Sequence, residues 1–128
     1  MKRSEINQFQ REAVAFFDAH RFRLPSFAFW TPETWAEMGT AVDEIRHCGL
    51  GWDLTDFGSG DFRAVGLLLF TVRNGNVHDD ENRKAYAEKI MIVKQDQVTP
   101  WHYHSMKMED IINRGGGDLV IELCESDR

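Results

Sequence analysis

Near Gly49 and Gly51 the hydrophobic period of this 128-residue chain changes, and that switch constrains the fold more than any other feature of the sequence. Before it, Ile6, Phe9, Ala13, Phe16 and Phe17 recur at the spacing of one helix face, with Ser4 as the predicted N-cap. Pro25 closes that region. A second helix is predicted from Thr31 as cap, with Pro32 at the first helical position and Glu33 set against the dipole. Trp35, Met38, Val42 and Ile45 form its apolar stripe, interrupted by Gly39, and Gly49 and Gly51 end it. The Met and aromatic positions of both helices read as core and not as cofactor contacts. After the switch, Trp52-Asp53-Leu54-Thr55-Asp56-Phe57 alternates and residues 65–73 read as a buried strand. Further strands are expected over 86–94, 98–104, 109–113 and 119–124. Turns are expected at Gly58-Ser59-Gly60-Asp61, Asn74-Gly75, Gln95-Asp96-Gln97 and Gly115-Gly116-Gly117, and a solvated loop over 76–84. Helices followed by short strands in succession predict an α-decorated antiparallel sandwich or barrel, not a parallel α/β sheet.

Charge and composition narrow the function. The net charge of −6 favours neither nucleic acid nor an anionic membrane surface. No apolar run approaches the roughly 18 residues needed to span a bilayer. The first residues, Met1-Lys2-Arg3-Ser4-Glu5, have no apolar stretch of signal-peptide type. Cys48 and Cys124 form neither a C-x-x-C pair nor a disulfide framework, so a cytoplasmic location is expected. The glycine clusters sit between predicted strands and open no helix, so they are turns and not phosphate cradles.

The residues most suited to chemistry are His102, His104 and Glu109. In a strand, His102 and His104 would project from one face with Cα atoms about 7 Å apart. Both rings could then converge on a single ion at bonds of about 2.1 Å. Glu109 follows a short segment able to bring a carboxylate beside them, giving three ligands of a divalent metal. Trp101 and Tyr103 would point to the opposite face, as core or interface. His20, His47 and His78 have no partners at ligand spacing.

The run His102-x-His104-x4-Glu109-x6-Gly116 looks like the first conserved motif of the cupins, with Asp96 where that motif usually opens with Gly. Longer words are more specific. Gly51-Trp52-Asp53-Leu54-Thr55-Asp56-Phe57-Gly58, Leu69-Phe70-Thr71-Val72-Arg73-Asn74-Gly75, Tyr86-Ala87-Glu88-Lys89, Thr99-Pro100-Trp101-His102-Tyr103-His104 and Glu109-Asp110-Ile111-Ile112-Asn113-Arg114-Gly115-Gly116-Gly117 resemble the D-lyxose isomerase family of cupins, over essentially the whole chain.

The resemblance implies a mainly β fold: an incomplete cupin (double-stranded β-helix or jelly-roll) barrel with N-terminal α-helices. Residues 1–50 would form the helical segment and 51–128 the first half of the barrel. It implies that His102, His104 and Glu109 bind the family's metal, usually Mn2+, and that Lys107 and Lys89 face a pentose or hexose substrate. It further implies ketol-isomerisation of D-lyxose to D-xylulose, and of D-mannose to D-fructose, through an enediol. A homodimer is the expected assembly. In the family a second motif supplies a fourth ligand, a histidine, and the acid/base glutamate, so the chain reads as an N-terminal fragment. Two other classes fit the same three ligands: an inactive metal-binding cupin module, and a non-haem Fe(II) oxygenase.

Overall fold

The computed structural model describes residues 1–125. Three helices precede three strands, in the order α1 (Arg3–Ala19), α2 (Pro32–Glu37), α3 (Asp43–His47), β1 (Gly51–Thr55), β2 (Leu67–Arg73) and β3 (Glu88–Ile92), with short 3-10 turns at Ser26–Phe29 and Gly39–Val42. The period switch falls where the sequence places it.

The start of α1 differs from expectation. Lys2 is the N-cap and Ser4 lies inside the first turn. The Lys2 backbone N–H donates to the Glu5 carboxylate at 2.5 Å, and the Lys2 carbonyl accepts from the Glu5 and Ile6 amides at 3.0 and 3.1 Å. A carboxylate in the third helical position thus reaches back to the cap residue, as in a capping box.

The second predicted helix is broken. Gly39 takes a φ of +56, a conformation that ends a right-handed helix, and the stripe from Trp35 to Ile45 is divided between α2, a 3-10 turn and α3. Arg46 spans the break: its guanidinium donates to the carbonyls of Gly39 at 2.7 Å and Trp35 at 3.0 Å while pairing with Asp43 at 2.9 Å. Carbonyls left over at the helix ends are satisfied by a side chain drawn from further along the chain.

The strands form one antiparallel sheet in the order β1-β2-β3. Trp52 pairs with Phe70 and Leu54 with Leu68; across the other edge, Leu68 pairs with Ile92 and Phe70 with Ile90. Because side chains alternate along a strand, this register puts all six residues on one face. Ala13 and Phe17 of α1 pack on that face together with Phe62, and Phe70 is wholly buried. The Trp52 indole N–H donates to the Ala28 carbonyl at 3.0 Å, tying the first 3-10 turn to β1. Glu12, on the outer side of α1, accepts from Gln8 and from Arg63 of the segment before β2, both at 2.9 Å.

The Gln8 amide and the Arg63 guanidinium hold the Glu12 carboxyl below the ordinary glutamate range, more strongly than burial raises it. A depressed carboxyl adds stability that is present above its unfolded pKa and is lost as pH falls through its folded pKa. Glu12→Gln should therefore cost about 1 kcal/mol or less at neutral pH, the worth of an exposed pair. The difference from the parent should vanish in acid, below the glutamate range; a deficit that persists there in chemical denaturation would refute this.

Asn74-Gly75 makes no tight hairpin. β2 and β3 are joined by a long charged loop, and the two asparagines flanking Gly75 reach back to α3. The Asn74 amide donates to the Cys48 carbonyl at 2.9 Å and the Asn76 amide to the His47 carbonyl at 3.0 Å, satisfying the end of that helix. Gly75 is needed for a close approach: a Cβ there would lie 2.2 Å from the Lys84 carbonyl oxygen. The Lys84 ammonium completes the clamp on Glu44 at 2.5 Å.

Residues 98–125 depart most from expectation. Val98 makes a single parallel bridge to Val65, and the strands expected over 98–104, 109–113 and 119–124 are not formed. A strand is stabilised by ladder hydrogen bonds to a neighbour, and beyond the single bridge at Val98 none of these segments has one among the described residues. Their apolar side chains are correspondingly exposed, Tyr103 at 84% and Leu123 at 86%; Trp101 and Tyr103, expected as core or interface, are not in the core. Among the described residues the chain therefore shows a three-stranded open sheet with helices, a β-rich domain whose sheet has two free edges. Both cysteines are free, and no helix among the described residues is long and apolar enough to cross a membrane.

Candidate metal centre

The segment carrying the candidate ligands is anchored at its root by Gln97. The Gln97 amide donates to the Phe62 carbonyl at 2.7 Å, and its carbonyl oxygen accepts from the Lys94 amide at 3.1 Å. Beside it, the Val98 amide donates to Ala64 at 2.9 Å and the Gly66 amide to Val98 at 3.1 Å. A buried glutamine, bonded through both ends of its amide, thus fixes where the chain leaves the sheet. Farther on, Asn113 closes the glycine run, donating to the Gly117 carbonyl and accepting from the Gly115 amide, both at 2.9 Å.

Between these anchors, His102, His104 and Glu109 converge. One ligand atom from each lies within 4.8 Å of the others. The two imidazoles meet edge to face with centroids 4.9 Å apart, and His104 Nε2 lies 3.2 Å from Glu109 Oε1. Donors on one ion at bonds of about 2.1 Å can be at most about 4.2 Å apart. The trio therefore needs a contraction of under an ångström, which exposed side chains can make by small torsional shifts. Two imidazoles and a carboxylate suit a first-row divalent ion.

His102 is the better prepared ligand. Its Nδ1 lies 2.9 Å from the Pro100 carbonyl, which can only accept, so Nδ1 carries a proton and Nε2 is the atom left to meet an ion. Glu109 is held ionised. Its carboxyl is pulled below the ordinary range first by the hydrogen bond from Lys107, at 2.6 Å, against a smaller opposing effect of burial, with the charges of Lys107, His104 and His102 adding to the fall.

The candidate substrate-facing lysines are placed differently. Lys107 touches Glu109. Lys89, on β3, pairs with Thr71 of β2; it lies on the sheet face opposite the core and shares no hydrogen bond or ion pair with the trio among the described residues. The trio lies on an open surface; the broader recess, lined by Asn7, Arg11, Phe29 and Trp52 among others, contains none of it. Two contributors escape sequence reasoning, Pro100 as the carbonyl that orients His102 and Lys107 as the cation on Glu109. The spacing of two residues in each pair, Pro100 to His102 and Lys107 to Glu109, is the available signal.

Two of the other histidines are engaged elsewhere. His20 Nδ1 donates to the Phe16 carbonyl at 2.8 Å, and His47 Nδ1 lies 3.8 Å from Asp79.

The sequence model of the D-lyxose isomerase family matches residues 1–128. The chain is 49% identical over 128 residues to a D-lyxose/D-mannose isomerase of Escherichia coli O157:H7, and 45% identical to one of Serratia proteamaculans. In each comparison 99% of this chain is covered, while it spans 56% of the relative's length.

Proposed function

The chain belongs to the D-lyxose isomerase family, and on that premise we propose that it carries the metal-binding half of a cupin-type aldose–ketose isomerase acting on D-lyxose and D-mannose. The observation that carries the reading is the convergence of His102, His104 and Glu109, three donors of the right chemistry within 4.8 Å. Exposed apolar side chains over 98–123 support the barrel part of it, since such segments are the kind that become strands once neighbours pair with them.

His102 Nε2, His104 and a Glu109 oxygen would hold the ion, Mn2+ by the family's habit. When bound, a divalent ion would supply Lewis acidity to the sugar carbonyl as a proton moves between C1 and C2. Pro100 holds the His102 ring through Nδ1, and the Lys107 ammonium pairs with Glu109 while the ion is absent. Lys107 and Lys89 serve as hydrogen-bond donors to sugar oxygens, which an ammonium with rotatable donors can do at several hydroxyl geometries. The proton shuttle is assigned, through the resemblance, to the second-motif glutamate, and the active assembly to a homodimer.

The test is complementation. Mixed with the part of the Escherichia coli relative that this chain does not span, and with Mn2+, it should form D-xylulose from D-lyxose and D-fructose from D-mannose, and chelation should stop both. Absence of ketose from a mixture shown to associate would overturn the assignment.

A further inference from the structure

Glu109 Oε1 serves two partners at once: it accepts from the Lys107 ammonium at 2.6 Å and lies 3.2 Å from His104 Nε2. Lys107 thus occupies the ligand oxygen from the side, as a cation tethered two residues away. Its stem is about half exposed, so it can leave Glu109 without unpacking anything. A divalent ion and an ammonium on one carboxylate oxygen repel each other and compete for the same charge.

Resting on the metal-site reading above, the geometry points to Lys107 as a built-in counter-ion that metal binding displaces. The displaced ammonium becomes the free donor that the sugar meets. Loading of the ion and arming of Lys107 are then one event. Lys107 has two alternative partners, Glu109 and substrate, and the ion selects between them. The lysine consequently weakens metal affinity even though it belongs to the same site. This is opposite to what a lysine that only props up Glu109 would do.

Two measurements on the full chain test this. First, Mn2+ affinity is compared among the parent, Lys107→Met, Lys107→Arg and His102→Ala by equilibrium titration, with circular dichroism confirming that each is folded. Removal of the charge should tighten Mn2+ binding by roughly two- to fivefold, the worth of an exposed ion pair, and the arginine variant should stay near the parent. Second, acylation of Lys107 is followed by mass spectrometry with and without Mn2+; it should rise when Mn2+ is added. Equal or weaker binding by Lys107→Met, or labelling that Mn2+ leaves unchanged, would overturn the inference. If His102→Ala binds Mn2+ as the parent does, the metal site itself is refuted. If His102→Ala loses binding while Lys107→Met gains none, only the counter-ion role falls.

Discussion

Replacing His102 by alanine should weaken Mn2+ binding by on the order of a hundredfold or more, beyond the roughly 10–100-fold that loss of an outer-shell partner costs. His102 is the imidazole held in place by a defined hydrogen bond to Pro100, so its removal deletes the best-oriented candidate donor and leaves two. His47→Ala is the matched control, because that ring lies at the end of α3 near Asp79 and should leave affinity unchanged. The side chains of the trio are at the surface, so the variant should fold as the parent does. Unaltered Mn2+ affinity in a calorimetric titration of the folded variant would remove the basis of the functional reading.

Phe70→Ala should be the most damaging single change to stability, costing about 3–5 kcal/mol. Among the described residues, Phe70 is the one large side chain with no exposed surface. Its ring lies edge-on to Trp52, with centroids 5.1 Å apart, and 5.4 Å from Phe27, so one residue joins the sheet to the 3-10 turn that precedes α2. Domains are commonly stable by only about 5–15 kcal/mol, so such a loss takes a large share of the total. Urea unfolding followed by tryptophan fluorescence would report it directly through Trp52. A change below about 1 kcal/mol would mean that the cavity collapses or that the core lies elsewhere.

The two predictions fall in parts of the chain that are unequally legible. Phe70 sits in a run whose buried character is plain from its residues. Strands β2 and β3 lie within segments that the sequence marks as extended, and β1 begins one residue before its segment, at Gly51. Their ends are displaced by a few residues, because a strand stops where its hydrogen-bonding neighbour stops, and that point is not written locally. The apolar spacing of α1 likewise foretells Ala13 and Phe17 as core. What the sequence conceals are features that depend on a partner far off in the chain. Gly39 looks like a blemish in one helix, and only the fold gives it a positive φ with Arg46 bridging the gap. Asn74-Gly75 has the form of a hairpin turn, yet its flanking asparagines find the end of α3 and hold the chain open as a loop.

The candidate site shows the same division. Its residue types and order, His102, His104 and Glu109, are readable because metal ligation demands particular donor atoms. The expected vehicle is a strand; in the structure the trio is gathered by an extended segment held at Gln97 and at Asn113.

By itself the sequence determined the period switch at Gly49 and Gly51, the apolar face of α1, the central strand and the identities of the three candidate donors. These depend on covalent pattern and on residue chemistry, which are local. The tertiary structure alone decided that the second helix breaks at Gly39, that residues 99–125 remain unladdered, that Pro100 holds the ring of His102 and that Lys107 sits on Glu109. Each is a matter of which groups meet across space. A hydrogen bond or an ion pair exists only where both partners have been brought within about 3 Å.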